Sequence, residues 1–225
     1  MGNTENKLAD KGSKYWMQKI VNDKTLRIRL EKKIGDTPLV WYSPLNCESY
    51  KEYQLKESKI ISNVLGLEKK AFEKQFDFWP SNGPHWDAIA TSADGRVLYL
   101  FEAKAHLKEI QSKLSATNKD SISIIKNSMR EVYQEITASP QGDFSSWFNK
   151  YYQLGNRLTF LYRMNQMRLP NIKNVKLVLL NIIDDKTYIP VPQAEWEKHY
   201  KSVFVTMIGK TEPPNNVSVL YFSGR

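Results

Sequence analysis

An Asp94-Gly95 dipeptide stands between two apolar runs, and no other stretch constrains the fold of this chain as tightly. An Asp-Gly pair so placed is the strongest short-range signal for a hairpin closed by a two-residue loop. With those two residues as the loop, Ala93 faces Arg96, and further down the ladder Asp87 faces Glu102. Lys104 lies two residues past Glu102 and projects to the same side. Carboxylates directly opposite on a sheet have Cβ atoms about 4.5–5.5 Å apart and repel. A cation relieves that repulsion, and a hard, oxygen-binding ion such as Mg²⁺ suits a pair of carboxylates. The second strand, Val97-Leu98-Tyr99-Leu100-Phe101, is apolar on both faces, the mark of a central buried strand. Residues 85–104 thus read as a candidate metal site with a lysine beside it.

The elements around this hairpin follow from periodicity and punctuation. Ser13 is placed to cap a short helix carrying Trp16 and Ile20, and Leu26, Ile28 and Leu30 alternate with charged residues like a half-exposed strand. Residues 38–43 read as another strand. Ser49 with Glu52 forms a capping box for a helix over residues 49–67, stopped near Gly66. On that helix Glu57 falls on the apolar stripe with Tyr53, Ile60 and Ile61, while Glu52 faces the wet side with Lys56 and Lys59. Residues 72–79 read as a strand, and Ser81-Asn82-Gly83-Pro84 as a turn. After the hairpin come a polar loop over residues 107–120 and a helix carrying Ile122, Ile125, Met129, Val132 and Ile136. A break follows at Pro140-Gln141-Gly142-Asp143, then a long helix over residues 144–167 with Gln153, Asn156 and Arg157 near its middle. The remainder reads as a buried strand over 175–183, a helix over 194–200 and strands over 203–208 and 217–222. The fold class expected is α/β, a mixed sheet flanked by helices: short links make the three strands antiparallel, and the helical crossover favours a parallel return.

Composition narrows the function classes. The 225 residues suffice for one domain with a sizeable core. The aromatic content argues against disorder. A lone Cys47 permits no internal disulfide and, without a cysteine–histidine cluster, makes a zinc site a poor reading. The N-terminus has no apolar segment of a signal peptide, position 6 lacks the Ser or Thr of a myristoylation motif, and no apolar run is long enough to span a bilayer. A soluble, cytoplasmic protein without membrane association is the expectation. The net charge is +9, and residues 108–176, just after the hairpin, carry 11 Lys/Arg against 5 Asp/Glu. Such an excess suits either solubility or a polyanionic partner.

The residues Asp87 and Glu102-Ala103-Lys104, at the end of a buried strand and inside a helix, three strands, helix, strand order, resemble the PD-(D/E)XK nuclease superfamily, the restriction-endonuclease-like fold. The resemblance covers residues 49–183, with residues 1–48 and 184–225 as extensions packed on that core in a single domain. Trp86 stands where the superfamily's name has a proline. The resemblance implies that Asp87, Glu102 and the Ala103 carbonyl hold Mg²⁺ or Mn²⁺, that Lys104 serves catalysis, that Glu57 is the glutamate of the first core helix, and that Gln153 is the glutamine of a later helix. It implies a nuclease acting on nucleic acid, DNA being the expected polymer. A homodimer is compatible with it but not derivable. The alternative is a non-catalytic nucleic-acid-binding or interaction module on the same fold, since fold alone does not fix function. His85 and His106 are secondary candidates, and the lysines at 108, 113, 119 and 126 are either a solvated face or a phosphate-contacting patch.

Overall fold

The computed structural model describes residues 7–81, 83–137 and 142–224; Met1–Asn6, Asn82 of the expected turn, and Pro140 and Gln141 of the expected break lie outside them. The chain is α/β, with a five-stranded mixed sheet between two helical layers. Its strands are β1 (Leu39–Ser43), β4 (Ala88–Ser92), β5 (Val97–Lys104), β6 (Asn174–Ile183) and β7 (Val217–Ser223), lying in that order. β1 and β4, and β4 and β5, pair antiparallel, whereas β5–β6 and β6–β7 are parallel. A two-stranded ribbon, β2 (Tyr53–Gln54) with β3 (His85–Trp86), stands apart from this sheet.

The hairpin runs in the predicted register, with Ala88 opposite Phe101 and Thr91 opposite Leu98. Its loop is built differently. The Gly95 amide bonds to the Ser92 carbonyl at 2.9 Å, so Ala93 and Asp94 are the central turn residues and Gly95 follows in the left-handed region at φ 73°. The Asp94 carboxylate accepts from the Arg96 amide and the Ser92 hydroxyl, and that hydroxyl accepts from the Val97 amide. These side-chain bonds carry the chain across the tip without shifting the pairing below it.

Period-2 alternation makes β5 bury both faces. Tyr99, Phe101 and Ala103 face α1 (Gly12–Asn22) and α2 (Lys24–Ile34), packing with Trp16, Met17, Ile20 and Leu30. Leu98 and Leu100 face the other core with α4 (Lys119–Ile136), α5 (Ser146–Asn149), α6 (Tyr152–Gln166) and α7 (Gln193–Ile208). Glu102 and Lys104 continue this second face at the strand's end.

Several expectations are corrected. Residues 26–30 are helical: Leu26 and Leu30 are buried at i and i+4 while Ile28 is exposed. Asp23 caps the Thr25 and Leu26 amides and Gly35 ends the helix at φ 78°. The helix over 49–67 does not form. Ser49 and Tyr50 have positive φ, the chain turns into β2, and only residues 58–65 coil, with Ile60–Leu65 as a π-type turn. Residues 72–79 begin in α3 (Lys69–Gln75), where Phe72 and Phe76 stack at 4.2 Å between centroids. The long helix is α5 and α6 joined by a kink, and residues 203–208 complete α7. The sheet takes β1 and β7 from outside residues 49–183. No helix among the described residues is long and apolar enough to cross a membrane.

Candidate active site

The site begins with a fork in the chain at Asp87. Up to Ala88 the strand pairs with β5, and the Asp87 amide still reaches the Phe101 carbonyl at 3.2 Å. Just before it, His85 and Trp86 pair instead with Gln54 and Tyr53. The divergence leaves the last residues of β5 without a main-chain neighbour on that side. The Asp87 side chain fills the place: its Oδ2 accepts from the Ala103 amide at 2.7 Å. The register thus brings the Asp87 and Glu102 carboxylates to one strand end, close enough that the charge of Glu102 disfavours ionisation of Asp87.

Glu102 is 4% exposed, and each of its oxygens meets a cation. Oε1 accepts from the Lys104 ammonium and Oε2 from Arg157 Nε at 2.6 Å. Lys104 Nζ also donates to Gln153 Oε1 at 3.3 Å. Gln153 and Arg157 are four residues apart on α6 and share a face. Arg157 is held on three further sides: Nη2 donates to the His85 carbonyl at 2.8 Å, Nη1 to Asn156 Oδ1 at 3.1 Å, and the guanidinium lies 4.6 Å over the Trp86 ring. It satisfies a carbonyl at the fork while neutralising Glu102.

The two carboxyls respond in opposite ways. Burial, then the charge of Glu102, push Asp87 up to about 7, against the pull of Lys104, the Ala103 amide and Arg157. Burial also works to raise Glu102, but Arg157 and Lys104 outweigh it and hold that carboxyl below its usual range. Burial works to lower Lys104, yet Glu102 and Asp87 hold it above its ordinary value.

Asp87, Glu102, Lys104 and Gln153 therefore come together, as the sequence predicts. Glu57 is not brought to them. Without the expected helix it has no phase to aim it at the sheet; it pairs with Lys51 at 3.2 Å and lines a separate cavity of about 520 Å³ with Gln54, Phe72 and Phe160. Glu52 pairs with Lys14. His106 accepts from the Lys108 amide in a short turn and packs edge-on to Tyr188, while the His85 side chain is exposed. Lys126 lies over the Phe148 ring.

Sequence reasoning ranks Arg157 behind Gln153, although Arg157 makes the stronger contact; one more helical turn along the Gln153 face is the signal that finds it. Ser112 is missed altogether. Its Oγ accepts from the Gln153 amide at 2.8 Å, and its carbonyl from the Tyr152 amide, capping α6 from a distant loop. No local pattern announces such a tertiary cap.

The donor set can take a divalent ion. Asp87 and Glu102 offer hard oxygens, and Mg²⁺ binds through one or two carboxylates while keeping several waters. Among the described residues no third acidic or histidine side chain joins them. No protein-family model, curated protein or solved structure matches this chain.

Proposed function

We propose that this chain is a metal-dependent phosphodiester hydrolase of the PD-(D/E)XK type acting on nucleic acid, DNA first. One observation carries the reading: Asp87, Glu102, Lys104 and Gln153, drawn from the fork, β5 and α6, converge where the sheet is open on one side. The element order supports it, with α1 and α2 before β1, β4 and β5, then helices and the parallel β6. In this arrangement β1, rather than residues 72–79, is the first core strand, and Glu57 drops out of the assignment.

Asp87, Glu102 and the Ala103 carbonyl would hold Mg²⁺ or Mn²⁺. A divalent ion there would lower the pKa of a coordinated water and offset charge on the scissile phosphate. The protein's own part is positional. Glu102 and Gln153 hold the Lys104 ammonium beside the two carboxylates, where it would orient the attacking water and donate to the phosphate oxygen that gains charge. Gln153 is fixed in turn by Ser112.

The fully paired state of Glu102 favours a second reading, a buried ion network on a non-catalytic nucleic-acid-binding or interaction module. Plasmid and single-stranded DNA incubated with Mn²⁺ or Mg²⁺ separate the two. Under the first reading the wild type cleaves only with metal, Asp87→Asn does not cleave, and Lys104→Met keeps its fold and metal but loses cleavage. Wild-type protein that neither cleaves DNA or RNA nor binds Mn²⁺ would leave the second reading.

A further inference from the structure

Two carboxylates attract a divalent cation only as far as their charge is uncancelled. With both carboxyls ionised, Asp87 and Glu102 are matched by Lys104 and Arg157, so the cluster already carries no net negative charge to offer a metal. The two cations are not equivalent. Lys104, with its side chain 11% exposed, has as its second contact the half-buried Gln153, and at 3.3 Å that contact is long. Arg157 is held more firmly: its side chain is 6% exposed and fixed by Glu102, the His85 carbonyl, Asn156 and the Trp86 ring. Lys104 can yield Glu102 Oε1 to an incoming ion, whereas Arg157 stays on Oε2.

We propose that Arg157 is a fixed counter-charge that makes divalent-cation binding at Asp87 and Glu102 conditional on a phosphodiester arriving with it. The proposal rests on the reading of the site as a metal-dependent nuclease. A divalent ion added to a neutral, buried cluster leaves two uncompensated positive charges where screening by water is poor. Among the described residues no third acidic, histidine or cysteine side chain gathers with the pair to ligate the ion and share that charge. A nucleic-acid strand supplies the missing negative charge, so metal and strand strengthen each other's binding, and by linkage the effect is reciprocal. Arg157 acts through Glu102 and does not reach the substrate, which makes it a positioning residue.

The test is calorimetric titration of Mn²⁺ into wild type, Arg157→Gln, Arg157→Lys and Asp87→Asn, each alone and with a short uncleavable phosphorothioate DNA strand. Wild type should bind Mn²⁺ about tenfold or more tightly with the strand than without it. Arg157→Gln should bind Mn²⁺ alone about tenfold or more tightly than wild type, with a smaller gain from the strand. Arg157→Lys, which keeps the charge, should stay close to wild type. A cooperatively melting Arg157→Gln with wild-type Mn²⁺ affinity overturns the proposal. Should that variant fail to fold, equal Mn²⁺ affinity of wild type with and without the strand overturns it. Asp87-dependent Mn²⁺ binding that ignores Arg157 sinks this inference and leaves the nuclease reading standing. No Mn²⁺ binding under any condition sinks both.

Discussion

Asp87 and Glu102 share one strand end yet are shifted in opposite directions, so the stability of the metal-free protein should depend on pH. Asp87 has its folded pKa raised to about 7 from an ordinary 3.8. Between those values the folded state binds the extra proton, so stability is greatest below the lower value and falls as pH rises toward the upper one. Glu102 is lowered, so its contribution is present above its ordinary 4.5 and is lost only in more acidic solution. The melting temperature of metal-free wild type should therefore drop from pH 5 to pH 8, and each loss of about 1 kcal/mol should move it by about 2–4 °C. Asp87→Asn should flatten that slope. His199, whose burial holds its imidazole below its ordinary value, works in the opposite direction over the same interval, so a slope that Asp87→Asn leaves unchanged would contradict the burial and repulsion described for this carboxyl. Arg157 belongs to the same scale. Arg157→Ala leaves Glu102 buried with one cation and the His85 carbonyl without its donor, so it should destabilise the fold by about 3–5 kcal/mol in denaturant titration.

At the scale of elements, α6 matters most, because its first turn presents Gln153 and its next presents Arg157. Ser112 caps that turn from another loop. Ser112→Ala should cost about 0.5–2 kcal/mol by urea denaturation and lower cleavage without changing Mn²⁺ affinity, since Gln153 rather than a carboxylate loses its anchor. The elements also show what was legible from sequence. The register of β4 and β5 was legible because β5 is apolar on both faces and a one-residue slip would turn Glu102 and Lys104 into the α1–α2 core. Convergence of Asp87, Glu102 and Lys104 followed from that register alone. Glu57 was misplaced because Ser49 and Tyr50 adopt left-handed conformations with no glycine to announce them, which destroyed the helical phase the assignment needed. The i, i+2 alternation of Leu26, Ile28 and Leu30 imitated a strand, although the Asp23 and Gly35 caps were there to be read. The cap by Ser112 and the Arg157–Glu102 pair join residues far apart in sequence, and periodicity within one segment carries no information about such distances.

At the scale of the whole molecule, the proposed nuclease reading and the charge of +9 together predict nucleic-acid binding that is strongly salt-dependent. Replacing Lys108, Lys113 and Lys119 by Gln should weaken binding to different DNA sequences by similar factors and flatten the dependence of log affinity on log salt. Unchanged affinity and slope would assign those lysines to solubility alone. The fork at Asp87 has a consequence for work in living cells. The obvious dead allele, Asp87→Ala, strips the Ala103 amide of its acceptor as well as removing a carboxylate. A buried donor left unsatisfied costs about 1–3 kcal/mol, enough to lower the steady-state amount of a marginally stable protein. A phenotype of that allele would confound lost chemistry with lost abundance. Asp87→Asn keeps an acceptor oxygen for Ala103, so it is the allele whose phenotype, at matched protein levels, reports on the proposed reaction.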